Sequence, residues 1–568
     1  FDSSAAAYSF FPMEGGAAPT EGKHCPSFTL PRAADEAEVG DRTRSTRGSS
    51  LDIRAAPSLE LKMERYFRCR NVDPSIVRGV LVSTVLWHGG SWICSGPICP
   101  SIAVGEKQYA LAIQVSNLMV FISHSWHASG KQKAAALLAF YNRTPACIGG
   151  IVCAMLCSAL SVAEVLPVWN HHALTTFVKT TAPEISPEML YSCWPSLGFV
   201  IGLVSTLQSW QFIQERVRGT IGRTVFLDKL CINQVDRELK ERGIKAIGSF
   251  LFRSNEMVIL WDSTYLSRLW CVFELGTFMA LCPGQRITFV PVSLYCSELV
   301  SLLCVSAMML IGTIMQSANL LQLMTAMILG WGIPREMAPG CAMYGVYLLP
   351  TLVFTFVHRT FLRARKDIYR QLSQFKLADV KCADEQDRAF VTDMMISLYG
   401  STEAFEKAAR TCILEKVKRK VPKSSLTPAG MLWTTLPIVA FGILDVLTAL
   451  TLSGESVSLR LHYLAGLLIL VGPVWLFMLD LVFLLCGLRL ATASWKQELL
   501  VILFIGSLQS AVECVATNTM PLACPQNFIG KSIVVAVSLV GIVLIRGRSY
   551  FSFLLSRNEP GELEAPAG

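Results

Sequence analysis

Glu274 is the only charged residue between Leu269 and Cys282, in the run LWCVFELGTFMALC. A carboxylate in an apolar helical face is costly unless it is paired, reaches a surface, or does chemistry. Two structural roles compete with a chemical one. One is a first-turn acid favoured by the helix dipole; the other is an ion pair with Arg268. Further polar residues close apolar runs of strand length. Ser123, His124 and Trp126 end LMVFIS, Asp228 ends TVFLD, and Asp262–Arg268 follow EMVILW. His124 and Asp228 suit plain strand-end polar positions as well as chemistry. Trp270 and Phe273 read as core. Cys231 and Cys271 read as packing, because no activating base accompanies them.

A second set of acids lies inside long apolar runs: Glu164, Asp445, Asp480 and Glu513. Charge in lipid costs several kcal/mol, so such acids are candidates for a proton or cation path. The structural alternative is a protonated or hydrogen-bonded carboxyl near a helix end, and Glu164 lies close to an interface at Trp169. No metal site is expected. The chain has 19 cysteines, many of them inside apolar runs where Cys packs as a small hydrophobe. Cys94 and Cys99 are too loosely spaced for zinc.

These residues sit in a chain of 568, of which 52% are hydrophobic and 16% charged, with mean hydropathy +0.46. Soluble domains carry about 25% charged residues, so a multi-pass membrane protein is expected. The net charge of +8 is concentrated: Arg359–Lys423 holds 15 Lys/Arg against 9 Asp/Glu. That bias suits a cytoplasmic segment beside anionic lipid, with membrane lipid as partner. The aromatic residues lie mostly in apolar runs and offer no base-stacking platform, so nucleic acid is not expected as a partner.

Eight segments reach or approach spanning length: 146–169, 194–213, 299–315, 342–358, 430–451, 463–487, 498–517 and 528–545. The organisation expected is a disordered tail over 1–60 and the first part of an α/β module over 61–145. A transmembrane hairpin over 146–213 interrupts the module, and its second part occupies 214–297. Two spans over 298–358 follow, then a basic cytoplasmic helical segment over 359–426, four spans over 427–546 and a C-terminal tail over 547–568. If the module is cytoplasmic, the loops on the far side contain only Lys179, Arg335 and Arg460. The positive-inside rule agrees with that orientation throughout. Which membrane holds the chain is not legible.

Within the module, strands and helices alternate. LMVFIS is followed by a helical run from Gly130, and TVFLD by a helix with Asp236 as N-cap and Leu239, Ile244, Ile247 and Leu251 at near-helical spacing. EMVILW precedes a helix from Arg268, and RITFVPVSL is a fourth strand. The fold class expected is therefore a small, mainly parallel α/β sheet plus an α-helical multi-pass region. The upstream VRGVLVSTVLW, at Val77–Trp87, is too short to span and reads as a buried strand or helix.

FISHSW, LDKLCINQ and SRLWCVFEL, in that order and on those strand ends, resemble the TIR superfamily, specifically its heterokaryon-incompatibility (HET)-like and protist branches. The CINQ box resembles the HET signature, and Arg268, Trp270 and Glu274 match an R-x-W-x-x-x-E pattern. Trp270-Cys271-x-x-Glu274-Leu275 also matches the W-C-x-x-E-L of TIR domains. The Asp387–Arg410 segment resembles a region that follows such modules in related membrane proteins. The sequence departs from the pattern in three ways. Arg268 stands where TIR domains usually place Ser, a fifth strand and final helix are not evident, and the hairpin intervenes between the first helix and the second strand.

The resemblance implies a role for Glu274. In some relatives the matching Glu cleaves the N-glycosidic bond of NAD, with NAD as substrate and no cofactor. A fixed carboxylate would stabilise the oxocarbenium-like charge that builds on the ribose as nicotinamide leaves. Ser123, His124, Trp126, Asp228, Arg268 and Trp270 would be the ligand-binding candidates, and the module would self-associate. Three functions are therefore in play. They are a membrane signalling protein with an NAD nucleosidase activity, an ion channel or transporter with a regulatory module, and a non-enzymatic membrane scaffold.

Overall fold

The structure is a computed structural model, and it describes residues 72–94, 102–170, 190–218, 223–282, 284–317, 320–332, 338–382, 385–421, 440–466 and 495–519, with a few single residues between 433 and 486. The expected tails, the 528–545 span and Asp480 lie outside the described residues. Two compact units are present, one comprising the described parts of Phe1–Leu138, Gln211–Val292 and Ala364–Val421, the other those of Ala139–Trp210, Ser293–Arg363 and Pro422–Gly568.

The first unit is built on a sheet. Its strands are β1 (Arg78–Leu81), β2 (Ile113–Gln114), β3 (Leu118–His124), β6 (Thr224–Phe226), β7 (Ser254–Trp261) and β8 (Arg286–Pro291); β4 (Trp169–Asn170) and β5 (Leu190–Tyr191) pair separately. The order is β2-β1-β6-β3-β7-β8. β6, β3, β7 and β8 are mutually parallel, in the register Phe121↔Phe226, Ser123↔Ile259 and Ile259↔Phe289. All but one residue of β3 is buried, the signature of a central parallel strand covered on both faces. Phe121 stacks on Phe226 at 4.5 Å between ring centroids, and Phe226 meets Phe250 at 4.4 Å.

Numbered within the parallel set, the strands run second, first, third, fourth. That is a doubly wound order, and its switch point falls between β3 and β7. The expectation of a mainly parallel sheet needs correction at one edge. β1 runs antiparallel to β6, and β2 antiparallel to β1, so the sheet is mixed. Arg78 fastens this edge: its Nε donates to the Ala112 carbonyl at 3.0 Å and its guanidinium lies over the Tyr109 ring. Val77–Trp87 turns out to be strand and helix in succession, β1 passing directly into the Val82–Cys94 helix.

Asp236 caps as expected, its Oδ1 accepting from Leu239 N at 2.8 Å. The helix it opens ends at Lys245, and a separate Ile247–Phe252 helix follows Ala246, whose ψ of 0° leaves the helical range. The Glu274 helix spans Leu269–Leu281. Its outer face is covered by the basic segment, expected as a separate element but here part of the same compact unit. Trp270 Nε1 donates to Asp387 Oδ2 at 3.0 Å, and Tyr399 OH donates to the Gly276 carbonyl at 2.9 Å. Lys381 N donates to Ser267 O at 2.8 Å, Leu269 N donates to Lys381 O at 3.2 Å, and Gln371 Nε2 donates to Ser263 O at 2.7 Å. Val391, Met394, Met395, Phe405 and Ile413 are among the buried side chains of that segment.

In the second unit, helices dominate. Three described helices, each with most of its length in that unit, are long and apolar enough to cross a membrane: Gly130–Val162, Trp194–Val217 and Val292–Gly312. The first of these differs from expectation, because the helix after β3 and the first span are one continuous 33-residue helix with Pro145 inside it. The expected spans at 342–358 and 498–517 fall within the Ala338–Ser373 and Trp495–Thr519 helices. Arg359, fully buried, makes a paired contact with Glu498 at 2.7 and 2.8 Å and donates to the Cys486 carbonyl at 2.9 Å.

Candidate functional site at the switch point

Parallel strands β3 and β7 end side by side, with His124 opposite Leu260. Beyond β7 the chain makes a tight turn. Asp262 Oδ2 accepts from Thr264 N at 3.2 Å and from Thr264 Oγ1 at 2.8 Å, an Asx-type turn. The 3₁₀ turn Tyr265–Ser267 follows and delivers the chain to the Glu274 helix. This path brings Glu274 over the end of β3. Ser123 Oγ donates to Glu274 Oε2 at 2.5 Å and lies 2.7 Å from Tyr265 OH. The helix begins at Leu269 with no acid in its first turn, so the first-turn reading of Glu274 is corrected. Its hydrogen bond goes to Ser123, not to Arg268.

Glu274 is half-buried, with some contact to solvent but dense protein around the carboxyl. Desolvation pushes it up to about 8; the Ser123 hydroxyl pulls the other way and the Asp228 charge adds to the rise. At neutral pH the carboxyl is mostly protonated.

Asp228 is buried at the end of β6, as the first residue of the short Asp228–Cys231 helix. Its Oδ2 accepts from Trp126 Nε1 at 2.9 Å and its Oδ1 from Lys229 N at 2.7 Å. Burial raises it to about 6, against the pull of these bonds and of Lys133 and Lys229. His124 is buried, and burial together with Lys133 and Lys229 holds it well below the usual histidine range, so its imidazole is neutral. Its ring lies 5.4 Å from that of Trp126.

The expected residues thus divide. Ser123 meets Glu274; Trp126 meets Asp228; His124 lies beside Trp126. Trp270 turns away, held by Asp387 and packed 5.4 Å from Phe273 and 6.4 Å from Phe390. Arg268 bridges through its backbone to Lys381.

Sequence reasoning missed Lys133, and it held Thr264 and Tyr265 only as part of the Asp262–Arg268 stretch, with no role for either. Lys133 is buried and its Nζ donates to the Ser125 carbonyl at 3.0 Å, placing a cation near Asp228 and Asp262. Thr264 Oγ1 lies 2.7 Å from Ser125 Oγ. A Tyr in a turn and a Lys near a helix's start carry no signal of their own; the parallel pairing of β3 with β7 brings them to the site.

Of the intramembrane candidates, Asp445 is buried and accepts from Ser196 N at 3.1 Å and from Ser196 Oγ. Ser196 lies in the first turn of the Trp194–Arg218 helix, so Asp445 satisfies an orphan donor at that helix's N-terminus. Asp445 itself ends the π-helical turn Ala440–Asp445. Glu164 is not inside a span: it lies exposed beyond Val162 with φ +59°, in the left-handed region. Glu513 is in the Trp495–Thr519 helix. Among the described residues no group of three or more His, Cys, Asp or Glu side chains could hold a metal ion.

No protein-family model, no curated protein and no solved structure matches this chain.

Proposed function

We propose that this chain is a multi-pass membrane signalling protein whose cytoplasmic module is TIR/HET-like and hydrolyses NAD at the β3–β7 switch point. One observation carries the reading: Ser123 and Glu274, 151 positions apart, meet at 2.5 Å where a doubly wound sheet binds its ligands. The resemblance had put both residues at the site. The ionised carboxylate of Glu274 would face the charge that develops on the ribose as nicotinamide departs. The three apolar helices support the membrane part of the reading; the basic 359–426 segment supports the cytoplasmic part.

The test uses the full chain purified in detergent. Wild type should release nicotinamide from NAD, and Glu274→Ala should stop the release. Equal turnover in the mutant would remove Glu274 from the mechanism. The alternative of a channel or transporter with a regulatory module has less support, because Asp445, its best-placed described carboxylate, is engaged in capping a helix. Absence of NAD turnover together with ion flux in liposomes would favour that alternative.

A further inference from the structure

Three polar groups form a chain at the switch point: Tyr265 OH, Ser123 Oγ and Glu274 Oε2, with contacts of 2.7 and 2.5 Å. A serine hydroxyl has one proton and can donate only once. The Tyr265 side chain is fully buried, stacked on Trp261 at 5.1 Å, and among the described residues its phenol finds its hydrogen-bond partner in Ser123. A buried donor left without an acceptor costs about 1–3 kcal/mol. The phenol proton therefore goes to Ser123, and the Ser123 proton is directed onto Glu274. The reverse chain, in which Glu274 donates to Ser123 and Ser123 to Tyr265, would leave the phenol proton without an acceptor.

We propose that Tyr265 is a positioning residue: acting through Ser123, it holds a proton donor on Glu274 and thereby favours the ionised carboxylate that the hydrolase reading requires. The inference deepens that reading and rests on it for its functional meaning; the hydrogen-bond chain itself stands on geometry. Among the described residues, the other ionisable groups that act on Glu274 are Asp228 at the end of β6 and Cys271 on the same helix, while Asp387, from the Glu385–Tyr399 helix packed outside, is held by Trp270. The Cys271 thiol donates to the His124 carbonyl, and the Asp228 carboxylate accepts from Trp126 and Lys229. The Asp228 charge opposes ionisation, which leaves the Tyr265–Ser123 pair as the local feature that favours it.

The experiment reads the protonation of Glu274 directly. A hydrophobic carbodiimide reacts with protonated buried carboxyls, so labelling of Glu274, mapped by mass spectrometry on the full chain in detergent, gives its titration midpoint. Wild type should lose labelling near pH 8. In Tyr265→Phe the ring packing stays and the donor is lost, so Ser123 is free to turn away. The midpoint should rise by about one unit, the size expected when a charge-assisted hydrogen bond weakens. Protein produced with 3-fluorotyrosine keeps the phenol and makes it a stronger donor; its midpoint should fall. A folded Tyr265→Phe with an unchanged or lower midpoint overturns the proposal. If that variant does not fold, an unchanged midpoint in the fluorotyrosine protein overturns it. NAD turnover is measured beside the titration. No turnover in wild type would remove the hydrolase reading while the midpoint still decides the relay; normal turnover with no midpoint shift would remove the relay alone.

Discussion

In the folded chain Glu274 holds its proton up to about pH 8, whereas an unperturbed glutamate releases it near 4.5. Between those values the folded state binds more protons than the unfolded one. The contribution of Glu274 to stability is therefore full below about 4.5 and is lost as the pH rises to about 8. Asp228 acts in the same direction over a lower window, from 3.8 to about 6. Glu274→Gln removes the titrating group while keeping its shape. We expect the variant's thermal unfolding midpoint to fall less steeply than wild type between pH 6 and pH 8.5. Parallel slopes would mean that Glu274 ionises freely in the folded chain. The same titration sets the expected activity profile. If the carboxylate is the working form, nicotinamide release should rise with pH and level off above about 8. A rate that falls over that interval would assign the work to the protonated acid. Bound substrate brings its own charges, and a pyridinium near Glu274 would move the midpoint of kcat below that of kcat/KM.

At the scale of elements, the helix carrying Glu274 is held from two sides. Its inner face packs on the sheet, and its outer face meets the basic segment at Gly276. A Cβ there would lie 2.8 Å from Met395 Sδ and 3.0 Å from Phe405 Cε2. The Met395 thioether can give a little; the Phe405 ring, itself buried, gives less. Gly276→Val should therefore lower the unfolding midpoint and expose the 385–421 helices to limited proteolysis, while Gly276→Ala should do so only weakly. Equal resistance of the valine variant would show that the segment is not seated on Gly276. Trp270→Phe removes one hydrogen bond to Asp387, worth about 1 kcal/mol, and should act in the same direction.

These contacts mark where the sequence was legible and where it was not. β3, β6 and β7 could be read because a strand buried on both faces gives an apolar run, β8 from its β-branched and aromatic residues, and the Asp236 cap because a capping acid precedes its helix. The antiparallel edge was not legible: β1 and β2 are four and two residues long, and a guanidinium pairing with Ala112 holds them. The docking of 364–421 was hidden by its charge. Val391, Met394, Met395 and Phe405 form its buried face, but 15 basic residues between Arg359 and Lys423 dominate its composition and point to lipid instead. At the site, Ser123 and Glu274 were readable from their motifs. Tyr265 lay in the Asp262–Arg268 stretch but matched no motif, and its bond to Ser123 is set by the turn after β7.

For the whole molecule, the membrane reading can be examined without the catalytic one. Asp445 and Ser196 lie 249 positions apart in the second unit, and their hydrogen bonds place a carboxylate on the N-terminus of a candidate span. A conduction role and a capping role predict different outcomes for the same substitutions. Asparagine keeps a carbonyl that can accept from Ser196 N; alanine keeps nothing, and loss of a capping group costs about 0.5–2 kcal/mol. If Asp445 caps, Asp445→Asn should retain most of the detergent-solubilised thermal stability and Asp445→Ala should lose it, and neither should alter ion or proton flux in liposomes. If Asp445 conducts, Asp445→Asn should abolish flux while leaving stability near wild type. The orientation is checked separately. In the proposed orientation 452–462 lies on the side opposite the basic segment, since Arg460 is its only basic residue. A glycosylation acceptor inserted after Gly454, an exposed turn with φ +73° and open space around it, should be modified during insertion into microsomes. The same acceptor inserted after Gly400, in the turn before the Ser401 cap, should not be. The reverse pattern would put the Glu274 site on the far side of the membrane, away from cytosolic NAD, and the signalling reading would fail with it.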